Sequence, residues 1–285
     1  MIKTIIFPCE MFSINEVDSC FQKEFDAVIE NGDFEVVFYD YEEFAKEGTL
    51  HLSKRVEEPV IAMLRGWMLN ENQYKDFYER LQSRNINLIT TPEQYCQMHL
   101  FPRAYSLISD DTPEIMVYPE NERKIDLQEI KGRFNRFMIK DYVKSEKGTD
   151  IPKYFDSTIS EEDFFYWLDV FKQYRGKLFT GGICIKQYVD LKKYGENTNE
   201  WRVFYLDGNI LSVSRNSGQK DFAAEVPKAL IEKYKNLPSP FYTVDYGELA
   251  DGSWKILEVG DGQVSGLSDN QDARAFFRCI KLCAE

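Results

Sequence analysis

Two acidic residues near the C-terminus are the most chemically suggestive pair in this chain of 285 residues. Asp245 ends Tyr242-Thr243-Val244-Asp245, and Glu258 lies in Trp254-Lys255-Ile256-Leu257-Glu258-Val259. Both segments have strand composition, and Asp251-Gly252-Ser253 between them has that of a hairpin turn. A carboxylate inside each of two adjoining strands either faces solvent or needs a neutralising partner. A divalent cation is one such partner, and Mg²⁺ on one or two carboxylates plus substrate phosphates is a nucleotide-site arrangement.

A basic cluster lies upstream. Lys140 closes the apolar run Arg136-Phe137-Met138-Ile139-Lys140, and Lys144, Ser145, Lys147 and Gly148 follow in one polar loop. Ammonium, hydroxyl and backbone N–H groups of this kind can cover a polyphosphate, although the Walker spacing is absent and a solvated turn has the same composition. Ile185-Lys186-Gln187-Tyr188-Val189 is a strand that then breaks, where free backbone groups could pair with the edge of a base. Arg202 and Arg215 lie on either side of the Asp207-Gly208 turn. Two guanidinium groups near two carboxylates suit a transferring phosphoryl or acyl-phosphate group; cross-strand pairing with Glu200 or Asp207 is the alternative. Arg65, before Gly66 at the end of an apolar strand, sits where α/β proteins bind ligands, and could grip a substrate carboxylate or pair with an acid.

The elements that would hold these residues follow from periodicity. Strands are expected at Thr4–Phe7, Phe34–Tyr39, Val60–Leu64 and Ile86–Ile89, with helices at Glu16–Asn31 and Glu71–Ser83 between them. That alternation implies a small α/β domain with parallel pairing over residues 1–92. Thr91-Pro92-Glu93 opens a further helix, which carries His99, read as a packing or surface residue. Strands near Ile115–Tyr118 and at Arg136–Lys140, a helix at Ser160–Tyr174 and a strand at Ile183–Val189 follow. Then come the Trp201–Leu206 and Ile210–Ser214 hairpin, a helix at Val226–Tyr234, the Asp245/Glu258 hairpin and a helix at about Gln271–Cys283. The region from 93 to 285 is thus α+β and rich in antiparallel pairing, with subdomains at about 110–180 and 181–285.

Composition narrows the class. The formal net charge of -13 repels phosphate backbones, so nucleic acid is not an expected partner. Six scattered cysteines without a CxxC pair, and two histidines, disfavour zinc. No export signal or membrane-length run is evident, so a cytoplasmic protein with no membrane partner is expected. No convincing Ser/His/Asp or Cys/His set is present, which points away from a nucleophilic side chain.

In this order the parts resemble the ATP-grasp superfamily over nearly the whole chain. FMIKDYVKS resembles its nucleotide-binding strand and loop, ICIKQYV its adenine hinge, EWRVFYLDGNILSVSR its arginine-bearing hairpin and VDYGELADGSWKILEVGDG its metal-binding hairpin. The likeness is nearest to a compact bacterial and phage clade of amide-ligase-like proteins. It implies an α/β N-terminal domain followed by an α+β ATP-grasp fold, whose two subdomains clasp the nucleotide with antiparallel sheets. It further implies ATP and Mg²⁺ as cofactors, with Lys140, Lys144, Lys186, Gln187, Val189 and Glu200 around the nucleotide. Asp245 and Glu258 become metal ligands, and Arg202, Arg215 and Lys144 the catalytic cations. The family's usual third ligand is Asn two residues after the Glu; here Gly260 stands there, and Asp261 is the substitute expected, with Gln263 next. The implied activity is a carboxylate–amine ligase acting on a small-molecule, peptide or protein acid with an amine co-substrate, as monomer or homodimer. A phosphotransferase and a non-catalytic nucleotide sensor are the alternatives. Glu258→Gln is expected to abolish turnover without weakening the empty protein, because clustered acids repel.

Overall fold

A computed structural model describes residues 1–120, 124–146, 148–219 and 222–283. Lys147 of the polar loop lies outside the described residues.

The N-terminal unit runs β1 (Thr4–Glu10), β2 (Ser13–Val17), α1 (Gln22–Asn31), β3 (Glu35–Tyr39), α2 (Tyr41–Glu47), β4 (Val60–Leu64), α3 (Glu71–Gln82) and β5 (Ile86–Leu88). β3, β1, β4 and β5 lie side by side and parallel, while β2 folds back antiparallel on the end of β1. The helix expected over Glu16–Asn31 is therefore shorter. Its first residues form β2 and a 3₁₀ turn, whose N-cap Asp18 accepts from Cys20 N–H. α3 begins with a capping box from Asn70 and Gln73, and buries Tyr74, Phe77 and Leu81 at helical spacing. Two connecting helices follow, α4 (Pro92–His99), opened by a Thr91–Gln94 capping box, and α5 (Phe101–Ile108).

The next unit comprises β6 (Ile115–Pro119), α6 (Leu127–Arg133), β7 (Arg136–Lys140), β8 (Phe155–Asp156), α7 (Glu161–Arg175) and β9 (Gly182–Gln187). Its strands form one antiparallel sheet in the order β6-β9-β7-β8. The subdomain boundary expected near 181 thus falls one strand early, since β9 is central to this sheet. Ile183 and Ile185 of β9 pack with Phe137 and Ile139 of β7 under Phe164, Leu168 and Phe171 of α7.

The last unit holds the short pair β10 (Lys193–Tyr194) and β11 (Asn197–Thr198), then β12 (Glu200–Leu206), β13 (Asn209–Arg215), α8 (Lys228–Lys233), β14 (Phe241–Glu248), β15 (Trp254–Asp261) and α9 (Ala273–Cys283). β13-β12-β14-β15 is a second four-stranded antiparallel sheet. α9 turns Phe276, Phe277 and Ile280 into a core shared with Ile5, Phe7 and Val28 of the N-terminal unit and Phe204 and Phe241 of the sheet. The N-terminal unit is therefore joined to the rest by a continuous apolar core rather than by a bare linker.

Candidate active site

The carboxylates come together through strand register. Arg202 of β12 is directly opposite Asp245 of β14, and Asp245 is directly opposite Glu258 of β15. Opposed residues of antiparallel strands point to one face, so the three side chains form a row across the sheet. Arg202 forks onto Asp245, with Nε donating at 2.8 Å and Nη2 at 2.7 Å. Its Nη1 donates to Gly266 O at 2.9 Å.

The other sheet brings up the lysines. Lys140 ends β7, opposite Cys184 of β9, and Lys186 lies two residues further along β9. Both stems are buried, and both ammonium groups lie over the Phe101 ring, at 4.7 and 4.4 Å. Lys140 Nζ donates to Glu258 Oε1 at 3.2 Å, and Lys186 Nζ donates to Leu257 O. Burial raises the cost of the Glu258 charge, but Lys140, Lys144 and Lys186 outweigh it and hold its pKa at about 2. Burial and the repulsion of Lys140 pull Lys186 down to about 7, with Glu258 opposing.

The loop after β7 is built by Asp141. Its Oδ1 accepts from Val143 and Lys144 N–H, each at 2.7 Å, and its Oδ2 accepts Arg175 Nε at 2.8 Å. Arg175, at the end of α7, also donates to Glu146 at 3.1 Å. Tyr142 lies against Gly181, which has φ +76°; a Cβ there would come within 2.1 Å of the ring. An acidic residue accepting from the second and third N–H groups after it is an Asx-type turn, a signal that was available in Asp141-Tyr142-Val143-Lys144.

Between the sheets lies a cavity of about 390 Å³ lined by Lys140, Lys144, Lys186, Gln187, Val189, Glu200, Arg202, Asp245 and Glu258 among others. Nine residues singled out in the sequence thus border one space. A smaller cleft of about 80 Å³ shares the wall of Lys144, Arg202, Asp245 and Glu258 with it. His99, read from sequence as a packing or surface residue, lines that cleft, stacked on Tyr95 at 4.7 Å. Burial, reinforced by Lys144, holds its pKa down at about 3, so its imidazole is neutral at physiological pH.

Three expected site residues stand elsewhere. Arg215 is opposite Trp201, so it shares that residue's face rather than the face of Arg202. A β-bulge between Phe204 and Tyr205 causes this. Counted back from the Asp207-Gly208 turn, Arg215 would oppose Glu200; the extra residue shifts the register by one and reverses the face. Arg65 is 1% exposed. It donates to both oxygens of Glu24, at 2.7 and 2.8 Å, to Gly262 O, and to Ser265 O at 2.8 Å. Four of its five N–H donors pin the turn after β15 and α1 to the end of β4, and its burial keeps it away from the cavity. Asp261 is opposite Tyr242, on the other face from Glu258. Its Oδ1 accepts from Gln263 N and Nε2 at 3.0 and 3.2 Å, which places Asp261 and Gln263 in their own turn rather than beside the other two acids.

Asp245 and Glu258 supply side-by-side carboxylate oxygens, the donor type that Mg²⁺ takes. Among the described residues no set of three or more His, Cys, Asp or Glu side chains converges as a metal cluster.

Two antiparallel sheets closing on a cavity, with a basic strand and loop on one side and paired acids on the other, define an ATP-grasp protein. The model of one ATP-grasp domain clade, family 3 of that clade, matches residues 128–280, more than half of the chain, and the chain belongs to that family. Solved structures share the fold along the whole chain. The ATP-grasp ligase PsnB complexed with minimal precursor is 12% identical, with TM-score 0.62, over 100% of this chain and 99% of that one. D-cycloserine synthetase DcsG is 15% identical, with TM-score 0.64, over 99% and 100%. D-alanine–D-alanine ligase from Bacillus anthracis complexed with ATP is 16% identical, with TM-score 0.58, over 100% and 98%. At such identities the likeness is one of fold. No curated protein sequence matches this chain. Among the described residues, no helix is long and apolar enough to cross a membrane.

Proposed function

We propose that this chain is an ATP-dependent carboxylate–amine ligase that works through an acyl-phosphate intermediate. One observation carries the reading: the row Arg202–Asp245–Glu258 faces Lys140, Lys144 and Lys186 within one cavity. A cluster of lysines and an arginine facing a pair of adjacent carboxylates suits a triphosphate and its metal ion better than a neutral ligand. The ligases that share the fold, one of them complexed with ATP, support the same reading.

ATP lies with its base toward Gln187 and Val189 and its phosphates among the lysines. Asp245 and Glu258 would hold Mg²⁺, which would offset the repulsion between phosphate oxygens. Each acid has a cationic partner, Lys140 for Glu258 and Arg202 for Asp245. Phosphates would draw both cations to themselves and leave the two acids available to the ion. An oxygen of the substrate carboxylate attacks the γ-phosphorus; the bond to the β-phosphate oxygen breaks, and ADP leaves. Arg202 and Lys144 stabilise the charge on the transferred phosphoryl group. The amine nitrogen then attacks the acyl carbon, the C–O bond to phosphate breaks, and the nitrogen loses a proton as the amide forms. No side-chain nucleophile takes part.

The test uses ¹⁸O-labelled carboxylic acids with ATP, Mg²⁺ and a panel of amines. Ligation through an acyl-phosphate carries one ¹⁸O atom into the released phosphate. A product amide with unlabelled phosphate refutes the intermediate. A stable phosphorylated product with no amide makes the protein a phosphotransferase, and ATP binding without turnover across the panel makes it a sensor.

A further inference from the structure

We propose that the smaller cleft beside the carboxylate pair admits the amine substrate, that it takes a small primary amine, and that Gly260 keeps it open. This rests on the ligase reading and names the substrate class of its second step.

The cleft meets the main cavity along Lys144, Arg202, Asp245 and Glu258, so a group entering it arrives beside the point of phosphoryl transfer. The cations occur on that shared wall, where phosphate oxygens would engage them. Beyond that wall the cleft is lined by Met68, His99, Thr243, Gly260 and Ser265 among others, and its polar side chains offer acceptors. Thr243 Oγ1 and Ser265 Oγ hydrogen-bond to each other at 2.9 Å. The neutral His99 imidazole offers a lone pair on whichever nitrogen lacks the proton. The two hydroxyls and the imidazole thus each present a lone pair, and an amine or ammonium brings two or three donors to meet them, whereas a carboxylate brings none.

Gly260 decides the room available. It shares the sheet face of Thr243 and Glu258, and a Cβ at this position would lie 3.0 Å from Ser265 Oγ and 3.1 Å from Thr243 Oγ1. Any larger residue would occupy the space beside the hydroxyl pair. The cleft is small, at about 80 Å³, so it accepts an unbranched aminomethyl end and leaves the remainder of a larger substrate outside.

Met68 lines the cleft, and its methyl carbon is a local reporter. The experiment titrates ethylammonium, and separately acetate, into protein carrying ¹³C-methyl methionine, with and without AMPPNP and Mg²⁺. Ethylammonium is expected to shift the Met68 resonance to saturation, and acetate to leave it unmoved. Gly260→Ala should weaken ethylammonium binding about tenfold while AMPPNP affinity stays within about twofold. Ser265→Ala removes an acceptor without adding bulk and should weaken ethylammonium severalfold. A Met68 response to acetate instead, or ethylammonium binding unchanged in both variants, overturns the proposal. Failure of AMPPNP to bind counts against the ligase reading alone, and the nucleotide-free titration then decides the cleft.

Discussion

Glu258→Gln tests the electrostatic logic of the site in both its empty and its filled state. The ionised carboxylate sits among Lys140, Lys144 and Lys186, and its pKa of about 2 lies below the ordinary 4.5 even though burial acts in the opposite direction. At about 1.36 kcal/mol per pH unit the shift corresponds to ~3 kcal/mol. The side chain is 36% exposed, so solvent screens part of that. About 1–2 kcal/mol is the stabilisation expected to remain. Glutamine keeps the shape and removes the charge, leaving the buried ammonium groups of Lys140 and Lys186 without their counter-ion. The empty variant should therefore melt lower, by about 2–6 °C for a chain of this size. This reverses the expectation drawn from sequence, that clustered acids repel and that losing one is harmless. The acids are separately neutralised by Arg202 and Lys140, and Glu258 is the minority charge among lysines. A carboxylate with a depressed pKa stabilises the fold above its unfolded value and loses that contribution as pH falls toward the folded value. The melting difference should thus be full at pH 7 and narrow as the pH is lowered from 4.5 toward 2. Metal-free AMPPNP should bind the variant more tightly than wild type, because an anion beside the phosphates has gone, and Mg²⁺ should no longer add to its affinity. Thermal melts across pH and calorimetric titrations with and without Mg²⁺ read all of this. An empty variant as stable as wild type at pH 7, or one that keeps the full Mg²⁺ dependence, would refute the reasoning.

Arg65→Ala should cost about 3–5 kcal/mol in urea denaturation, because it leaves the buried Glu24 carboxylate unpaired, and Arg65→Met combined with Glu24→Leu should recover most of that loss. Normal stability in Arg65→Ala together with lost acid binding would return Arg65 to the substrate site. Lys186, held near pKa 7, should regain its full charge beside a diphosphate, so ADP binding at pH 8 should take up close to one proton, as calorimetry in buffers of different ionisation enthalpy would show. Lys186→Met should abolish the uptake; an unchanged uptake assigns the proton elsewhere. Since the unfolded lysine binds more protons than the folded one between pH 7 and 10.5, the Lys186 contribution to stability should grow as pH rises through that window.

Much of the fold was legible because local pattern governs local structure. Short apolar runs marked most of the strands, the Thr91 cap sits where α4 begins, and Asp207-Gly208 and Asp251-Gly252 sit where hairpins turn. The segment from Glu16 misled, because Val17, Phe21, Phe25 and Val28 keep a helical spacing while the chain crosses a strand and a 3₁₀ turn before α1 begins. His99 packs on Tyr95, as a packing residue would, but its place beside the cleft comes from α4 meeting β15, a contact that no local spacing encodes.

The sequence by itself determined the inventory of the site: a lysine strand and loop, a second lysine strand, and an arginine and two acids on hairpin strands. Only the tertiary structure decided which of them meet, because a single inserted residue reverses the face of everything beyond it. Counted from the Asp251-Gly252 turn, Asp245 would oppose Leu257; the bulge between Asp245 and Tyr246 brings it opposite Glu258 and creates the acidic pair. The corresponding bulge in the neighbouring hairpin carries Arg215 away from Arg202. Such bulges depend on how a whole sheet twists over its core, and neither hairpin announces its own in its residues.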